Sequence, residues 1–378
     1  MPVTPRAACL ATRLAFLLGG FGLACWAPLV PFAQERLHTD SGAIGSLLLC
    51  LGTGSVLAML GTGALNSRFG SKPLIITGAL GLAVTLPGLA LAHTALFLAV
   101  VLLFFGASLG VLDVAMNIQG TEVERMAKRP LMAGFHALFS IGGFAGAAFM
   151  TFLLSCHLTP LHSTIICSAL MLVVLIYAFP RFVSTRQGED EPLFAMPRGI
   201  VLLLSLLAAI AFLAEGAMLD WGALLITSAG LLPVAKGGMG YMLFSVAMTV
   251  CRLLGDRVTT RLGAATVLSG GAVLAITGIA CLLLSPFKPL ALSGFVFIGL
   301  GIANIAPILF RRAAEQTVMP AGLAVSALTT IGYTGVLLGP AGIGFAASLV
   351  TLKGAFWLLA GLLCCVPLCA RRVAYAKA

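Results

Sequence analysis

Charge is what this chain has least of. Of its 378 residues only 9% are Asp, Glu, Lys or Arg, against roughly 25% in soluble domains. That balance excludes an ordinary water-soluble fold. The long apolar runs also lack the polar/apolar alternation of barrel strands, which excludes a porin-type barrel. There is no P-loop, no G-x-S-x-G, no H-E-x-x-H and no G-x-G-x-x-G between strand and helix. No enzyme and no cofactor are therefore expected. The ten cysteines form no C-x-x-C pair and read as small apolar fillers. Cys156, His157 and His162 near one outer loop are too loosely spaced to make a strong metal site, and no metal is assigned.

What is present is hydrophobic length. The chain is 60% hydrophobic, in runs of about 20 residues, each long enough to cross a bilayer as a helix. About twelve crossings are expected: Leu10–Val30, Ile44–Leu65, Pro73–Ala92, Ala95 to about Glu122, Leu131–Leu154, Leu161–Phe179, Ile200–Ile226, Gly238–Leu254, Ala264–Leu284, Leu290–Phe310, Ala321–Leu349 and Ala355–Ala370. A polar outer loop is expected at Gln34–Gly42, and the basic N-terminal stretch, which looks like a signal peptide, is taken as a retained first helix. The composition shifts at 181–198, the longest polar stretch. It reads as a cytoplasmic linker between a six-helix bundle at 1–180 and another at 199–378.

Base outnumbers acid, 22 Lys and Arg to 12 Asp and Glu, a formal +10. The cations fall in alternate loops, with only Arg36, Lys236, Lys288 and Lys353 on the other side. This is the positive-inside pattern of an inner-membrane protein with both termini cytoplasmic, so the charge reports topology and no nucleic-acid partner is expected. Membrane lipid is the surrounding partner, and the chain is expected to be a monomer.

An internal repeat runs at about half the chain length. Arg68-Phe69-Gly70 corresponds to Arg261-Leu262-Gly263, Gly106 to Asp113 resembles Gly299 to Asn304, Gly142 and Gly146 match Gly335 and Gly339, and Trp26 pairs with Trp221. A duplicated bundle requires such a common offset.

Candidate functional residues are the polar ones at membrane depth, because a bare carboxylate in hydrocarbon costs several kcal/mol or more. Asp113, Asn117, Gly120 and Glu124 share one helix face by their three- and four-residue spacing, with Asp113 in the inner half of the bilayer and Glu122 and Glu124 at its inner edge. The seventh span carries Glu215 and Asp220 with Gly216 and Gly222, a composition suited to a discontinuous, cavity-lining helix. The bland alternative puts Asp220 and Trp221 at the outer interface, where Trp26 is also expected, as hydrated acid and aromatic anchors. His136 lies within a span and titrates where proton coupling operates, or else hydrogen-bonds a neighbouring helix. Arg252 either snorkels to the cytoplasm or meets an intramembrane acid. Asn304 is the neutral counterpart of Asp113.

The loop between the second and third spans resembles that of the major facilitator superfamily, G-x-L-x-D-R-x-G-R-K, at Gly63, Leu65, Arg68, Gly70 and Lys72. Ser67 stands where the family has an acid and Ser71 where it has a base. The corresponding loop of the second half carries Gly255, Asp256, Arg257 and Arg261-Leu262-Gly263. The ordered set DVAMNIQGTEVER, GFHALFSIGGFAGA and AEGAMLDW is similar to the YbjJ-type branch of bacterial inner-membrane facilitators, across nearly the whole chain. The resemblance implies an all-α fold of twelve transmembrane helices in two pseudo-symmetric six-helix bundles that rock about a central cavity. It implies Trp26, Asp113, Asn117, Glu215, Trp221 and Asn304 on cavity-lining helices, joined by His136 and Asp220 as substrate or proton sites. Arg68, Glu122, Glu124, Arg252 and Asp256 then belong to an inner gate. The implied function is secondary transport of a small solute, coupled to protons through Asp113 or Glu215. The alternatives are a non-transporting sensor or assembly factor, and efflux of a lipid or amphipathic drug.

Overall fold

The computed structural model describes residues 3–128, 131–183, 196–319 and 321–374. Most of the expected linker lies outside them. The described chain is helical, with no strand among these residues. In order, the helices are α1 (Pro5–Trp26), α2 (Val30–Leu37), α3 (Ser41–Phe69), α4 (Ser71–Leu91), α5 (Ala95–Ala127), α6 (Met132–Ser155), α7 (Pro160–Ala178), α8 (Ile200–Ser228), α9 (Met239–Leu262), α10 (Ala264–Leu284), α11 (Lys288–Ile302), α12 (Ile305–Glu315), α13 (Ala321–Leu363) and α14 (Cys365–Ala374). Eleven helical stretches among the described residues are long and apolar enough to cross a membrane. Within α13, Thr351 sits at φ 74° and ψ 161° and separates two helical runs.

The outer loop expected at Gln34–Gly42 is shorter: the chain is helical to Leu37 and again from Ser41, with only 38–40 between. Pro28 and Pro31 stand in the first turn of a 3-10 segment (Ala27–Leu29) and of α2, where a missing N–H leaves no intrahelical bond unmade. The chain therefore stays helical to Leu37. There Arg36 donates to the carbonyls of Ala92 at 2.6 Å and Leu89 at 2.8 Å, satisfying orphan acceptors at the end of α4.

Two compact units emerge: 1–39, 46–190 and 234–242 in one, 40–45, 191–233 and 243–378 in the other. In the first, α1 packs on α6 and α4 on α5 and α7; in the second, α8 packs on α13 and α10 on α11. The same glycines make these contacts possible in both. A Cβ at Gly142 or Gly146 would run into the backbone of Leu17 or Phe21 in α1, and one at Gly335 into Ala209 in α8. Gly106 lies on the backbone of Leu51 and Gly299 on that of Phe244; Gly78 meets Leu112 and Ser108, and Gly271 meets Gly301. Each pair is separated by 193 positions, for instance 106 and 299. Such approach is what helices need where lipid gives little hydrophobic drive to associate, so dispersion contact must do it.

Outward faces are the reverse. Ile165, Ile166, Leu170, Val173, Ile176 and Tyr177 of α7 are all exposed. In water this patch would be an aggregation hazard; against lipid it needs no cover.

Candidate functional site: an acid–arginine pair at a broken helix

The seventh span, expected to be discontinuous, is an unbroken helix from Ile200 to Ser228. The break is in the tenth. The stretch expected as Leu290–Phe310 ends as α11 at Ile302 and resumes as α12 at Ile305, with Asn304 at φ −103° and ψ 0° between them. Breaking a helix in hydrocarbon frees backbone carbonyls that protein groups must satisfy. Arg252 of α9 supplies one such group: its Nε donates to the Ala303 carbonyl at 3.2 Å. Cys251 Sγ donates to Leu300 O at 3.4 Å, and Asn304 Nδ2 lies 3.4 Å from Cys251 O and 3.3 Å from its sulfur. Gly255 makes room for this, since a Cβ there would overlap Asn304 Oδ1. Asn304 is consequently buried, at 5% exposure.

The same guanidinium reaches α8. Arg252 Nη2 lies 2.9 Å from Glu215 Oε2, and each side chain keeps 29% exposure. Of the two expectations for Arg252, the pair with an acid of the seventh span is the one seen. Glu215, for its part, has a fixed cation. One arginine thus joins the charge of a continuous helix to the loose end of a broken one. Arg was the suitable residue, because its planar fork can hold a carbonyl through one nitrogen and a carboxylate through another.

Further out on α8, Asp220 is 6% exposed and Trp221 fully buried. The hydrated-interface alternative fails for both. Trp221 Nε1 donates to Pro340 O at 3.2 Å, a carbonyl on α13, whereas Asp220 has no ion pair or hydrogen bond among the described residues. Trp26 is likewise buried, at 1%, with its indole N–H unpartnered. It is a core residue of the first unit and no interfacial anchor, because the chain continues past it as helix.

Asp113 and Asn117 form a much more local arrangement. Asn117 Nδ2 donates to the Asp113 carbonyl at 2.9 Å and sits 3.5 Å from its Oδ1, all on α5. No cation pairs with Asp113 among the described residues. Two helical turns on, Gln119 is fully buried and donates to Thr12 Oγ1 at 2.9 Å, its own Oε1 unpartnered. Sequence spacing missed this contact between α5 and α1, which only tertiary packing creates. Asn304 is not the repeat-mate of Asp113: by the 193-residue register that place belongs to Ala306.

Among the described residues, those expected at the inner gate make the following contacts. Arg68 stacks on its neighbour Phe69, its Cζ 5.2 Å from the ring centroid. Glu122 pairs with Arg125 one turn along the same helix, at 2.7 Å, and Glu124 Oε2 accepts from the Leu131 amide at 2.5 Å. The Asp256 side chain lies outside the described residues. His136 is exposed near the start of α6, edge-on to Phe16 at 5.1 Å. Cys156, His157 and His162 are not gathered into a metal-binding group among the described residues; His162 Nδ1 is 2.7 Å from Thr159 Oγ1.

With this geometry in view, a family model described as Major Facilitator Superfamily matches residues 14–318. The chain belongs to this superfamily. An uncharacterized MFS-type transporter of Yersinia pestis is 44% identical over 364 residues, covering 96% of this chain and 94% of the relative. The uncharacterized transporter y4wD of Sinorhizobium fredii is 33% identical, covering 91% and 92%. Among solved structures, a mutant of the nucleoside transporter NupG shares the fold with a TM-score of 0.79 at 16% identity, covering 97% of this chain and 99% of that one. A bacterial homolog of the human lysosomal transporter Spinster, in an inward-facing and unoccupied conformation, matches with a TM-score of 0.79 at 14% identity, covering 99% of each chain. This facilitator is thus a multi-pass membrane transporter for a small solute, with the two-bundle fold of its superfamily, a family that is generally not enzymatic.

Proposed function

We propose that the protein is a secondary active transporter that moves a small solute across the cytoplasmic membrane by alternating access, coupled to protons at Glu215. The observation that carries this reading is the Arg252 bridge between Glu215 and the Ala303 carbonyl at the break between α11 and α12. Adding a proton to Glu215 removes the charge that attracts Arg252 and leaves the guanidinium to its carbonyl or to a solute. Protonation thereby changes what holds the broken helix, and a helix break is where a bundle bends most easily. Asp113, with no cation beside it, is the second candidate for the coupled proton, and Asp220 for a further buried proton site.

In this proposal bundles at 1–180 and 199–378 are joined by the linker at 181–198, and the break at Thr351 divides α13 into the last two of twelve crossings. Both termini are cytoplasmic, following the charge asymmetry, and the protein works as a monomer. The test is uptake into proteoliposomes under an imposed pH gradient, using a solute selected by thermal shift of the purified protein. The expected result is gradient-driven accumulation in the wild type and solute counterflow without accumulation in Glu215→Gln. Accumulation retained in both Glu215→Gln and Asp113→Asn overturns proton coupling at these sites. Absence of counterflow for every solute that shifts the melting point points instead to a sensor with a facilitator fold.

A further inference from the structure

The charge balance of the Glu215–Arg252 pair points to a class of solute. As carboxylate and guanidinium the two sum to zero. Arginine keeps its proton at any pH a cell reaches, so a proton added to Glu215 leaves an uncompensated cation at membrane depth. Such a cation needs an anion. A solute that enters with the proton and carries a single negative charge restores the balance, whereas a neutral solute leaves the cation uncovered and a cationic one adds to it. Glu215 occupies the fork that such an anion would use.

The fork is within reach. Arg252 gives Nε to the Ala303 carbonyl and Nη2 to Glu215 Oε2, and its Nη1 has no partner among the described residues. With 29% of each side chain exposed, a second carboxylate can displace the first and be held through two parallel bonds. Arg252 is the one contact of Glu215 among the described residues. Around them, Cys251 of α9 is turned to the Leu300 carbonyl and Tyr333 of α13 stacks on Phe212. Asp220 lies more than a turn further out on α8, and α12 carries Arg311, Arg312 and Glu315 past Phe310. The Asp256 side chain, one turn past Arg252, lies outside the described residues.

The wall beside the pair is aromatic. Phe212 precedes Glu215 by three residues on α8 and so shares its face. Its ring stacks on Tyr333 at 5.9 Å and tilts against Phe310 of α12 at 6.4 Å. A Cβ at Gly332 would come 2.8 Å from the Phe212 ring, so glycine there admits the stack. All three aromatic residues are half-buried and keep ring surface uncovered. Phe310 stands on the half-helix beyond the break whose carbonyl Arg252 holds. A solute touching both would tie the break to α8.

We propose that the solute is an aromatic monocarboxylate, its carboxylate taking the place of Glu215 on Arg252 and its ring lying against Phe212 and Phe310, with the coupled proton carried on Glu215. This rests on the reading of the pair as the coupling site.

The test is isothermal titration of the purified full chain in detergent with benzoate. Benzamide, benzylammonium and cyclohexanecarboxylate are the comparison ligands, removing in turn the charge, its sign and the flat ring. Benzoate is expected to bind saturably, and the amide and the ammonium about tenfold more weakly or worse, for loss of a charge-assisted hydrogen bond. Cyclohexanecarboxylate should bind about threefold more weakly, for loss of an aromatic contact. Glu215→Gln removes the resident acid and should tighten benzoate about tenfold, while Arg252→Gln should abolish its binding. Titration in two buffers of different protonation enthalpy should show about one proton taken up per benzoate by the wild type and none by Glu215→Gln. Equal binding of benzamide, preference for benzylammonium, or benzoate bound no tighter by Glu215→Gln would each overturn the anionic solute, and all three can be read even if Arg252→Gln does not fold. Equal binding of cyclohexanecarboxylate removes the aromatic body from the proposal. Benzoate bound without proton uptake would instead refute the coupled proton at Glu215 and leave the solute class standing.

Discussion

The two units are built on one scaffold and given different chemistry. Gly106 and Gly299, Gly142 and Gly335, and Gly78 and Gly271 bring backbones together in the same places, while the ionisable groups at membrane depth, Asp113, Glu215, Asp220 and Arg252, have no ionisable counterparts at the 193-residue offset. In the first unit Asp113 is served by Asn117 four residues on and by no cation. In the second, Glu215, Arg252 and the break at Asn304 tie three helices together. Close packing has to be preserved in each copy because it is what holds helices together in lipid. A charged pair need exist only once, since both partners must be stabilised together or not at all. The second unit is accordingly the place to look for coupling.

The heaviest blow to this comparison comes from the shared scaffold. Gly106→Val and Gly299→Val should be alike, because in both the added Cβ lands on backbone, on Leu51 or on Phe244, where no rotamer can relieve it. Overpacking of well-packed sites costs about 1–3 kcal/mol and more where backbone must move, so both variants should lose most of their folded yield by fluorescence size exclusion. Gly61→Val is the control, with open space around its Cβ position. Should Gly299→Val behave like Gly61→Val while Gly106→Val fails, the two units would not share a packing scheme.

The next effect divides the units. Arg252→Gln leaves Glu215 without its cation and Ala303 O without its donor, while Glu215→Gln leaves a neutral acceptor beside the arginine. Removing one partner of a fully buried pair costs about 3–5 kcal/mol; at 29% exposure for each side chain, water takes up part of the loss and about 1–2 kcal/mol is expected. Arg252→Lys should recover charge without the fork and only part of the stability. Asp113→Asn, by contrast, breaks no ion pair and should move the melting point little. Equal destabilisation by Arg252→Gln and Asp113→Asn would erase the distinction between the units.

How far the sequence foretold this depends on whether a feature is local or tertiary. Apolar runs and cation asymmetry gave the membrane fold because both are written residue by residue, and the glycine register gave the repeat because close approach admits no other residue. The broken helix was assigned to the seventh span on its glycines and acids, yet α8 runs unbroken; Gly216 only brings it near Val336. In GLGIANIAPIL the signal passed over is Pro307, which has no N–H to give to the Ala303 carbonyl four residues back. The stability of the break at Asn304 comes from Arg252 and Cys251, some fifty positions away. Trp26 was expected near the outer interface, and Trp221 there as the alternative to a cavity-lining place; both are buried, and α13 supplies a carbonyl to the Trp221 indole, a contact no local pattern announces.

The smallest effect is also the cleanest contrast between the units. Thr12 and Ser205 occupy corresponding places, fully buried, each donating to the carbonyl four residues back, at 2.9 Å to Ala8 and 2.8 Å to Val201. Only Thr12 also accepts, from Gln119 at 2.9 Å. Ser205→Ala removes a bond to a carbonyl the helix already satisfies and should be nearly neutral. Thr12→Val keeps the shape but strands the Gln119 amide, whose Oε1 is already without a partner, and a buried donor left unpaired costs about 1–3 kcal/mol. Adding Gln119→Leu to Thr12→Val should then return part of the loss, since replacing both partners by apolar groups removes the unpaired amide together with its bond. Thermal unfolding of the four proteins in detergent measures each step. A double variant no more stable than Thr12→Val alone would mean that the hydroxyl acts through packing, and that Thr12 and Ser205 differ in shape rather than in hydrogen bonding.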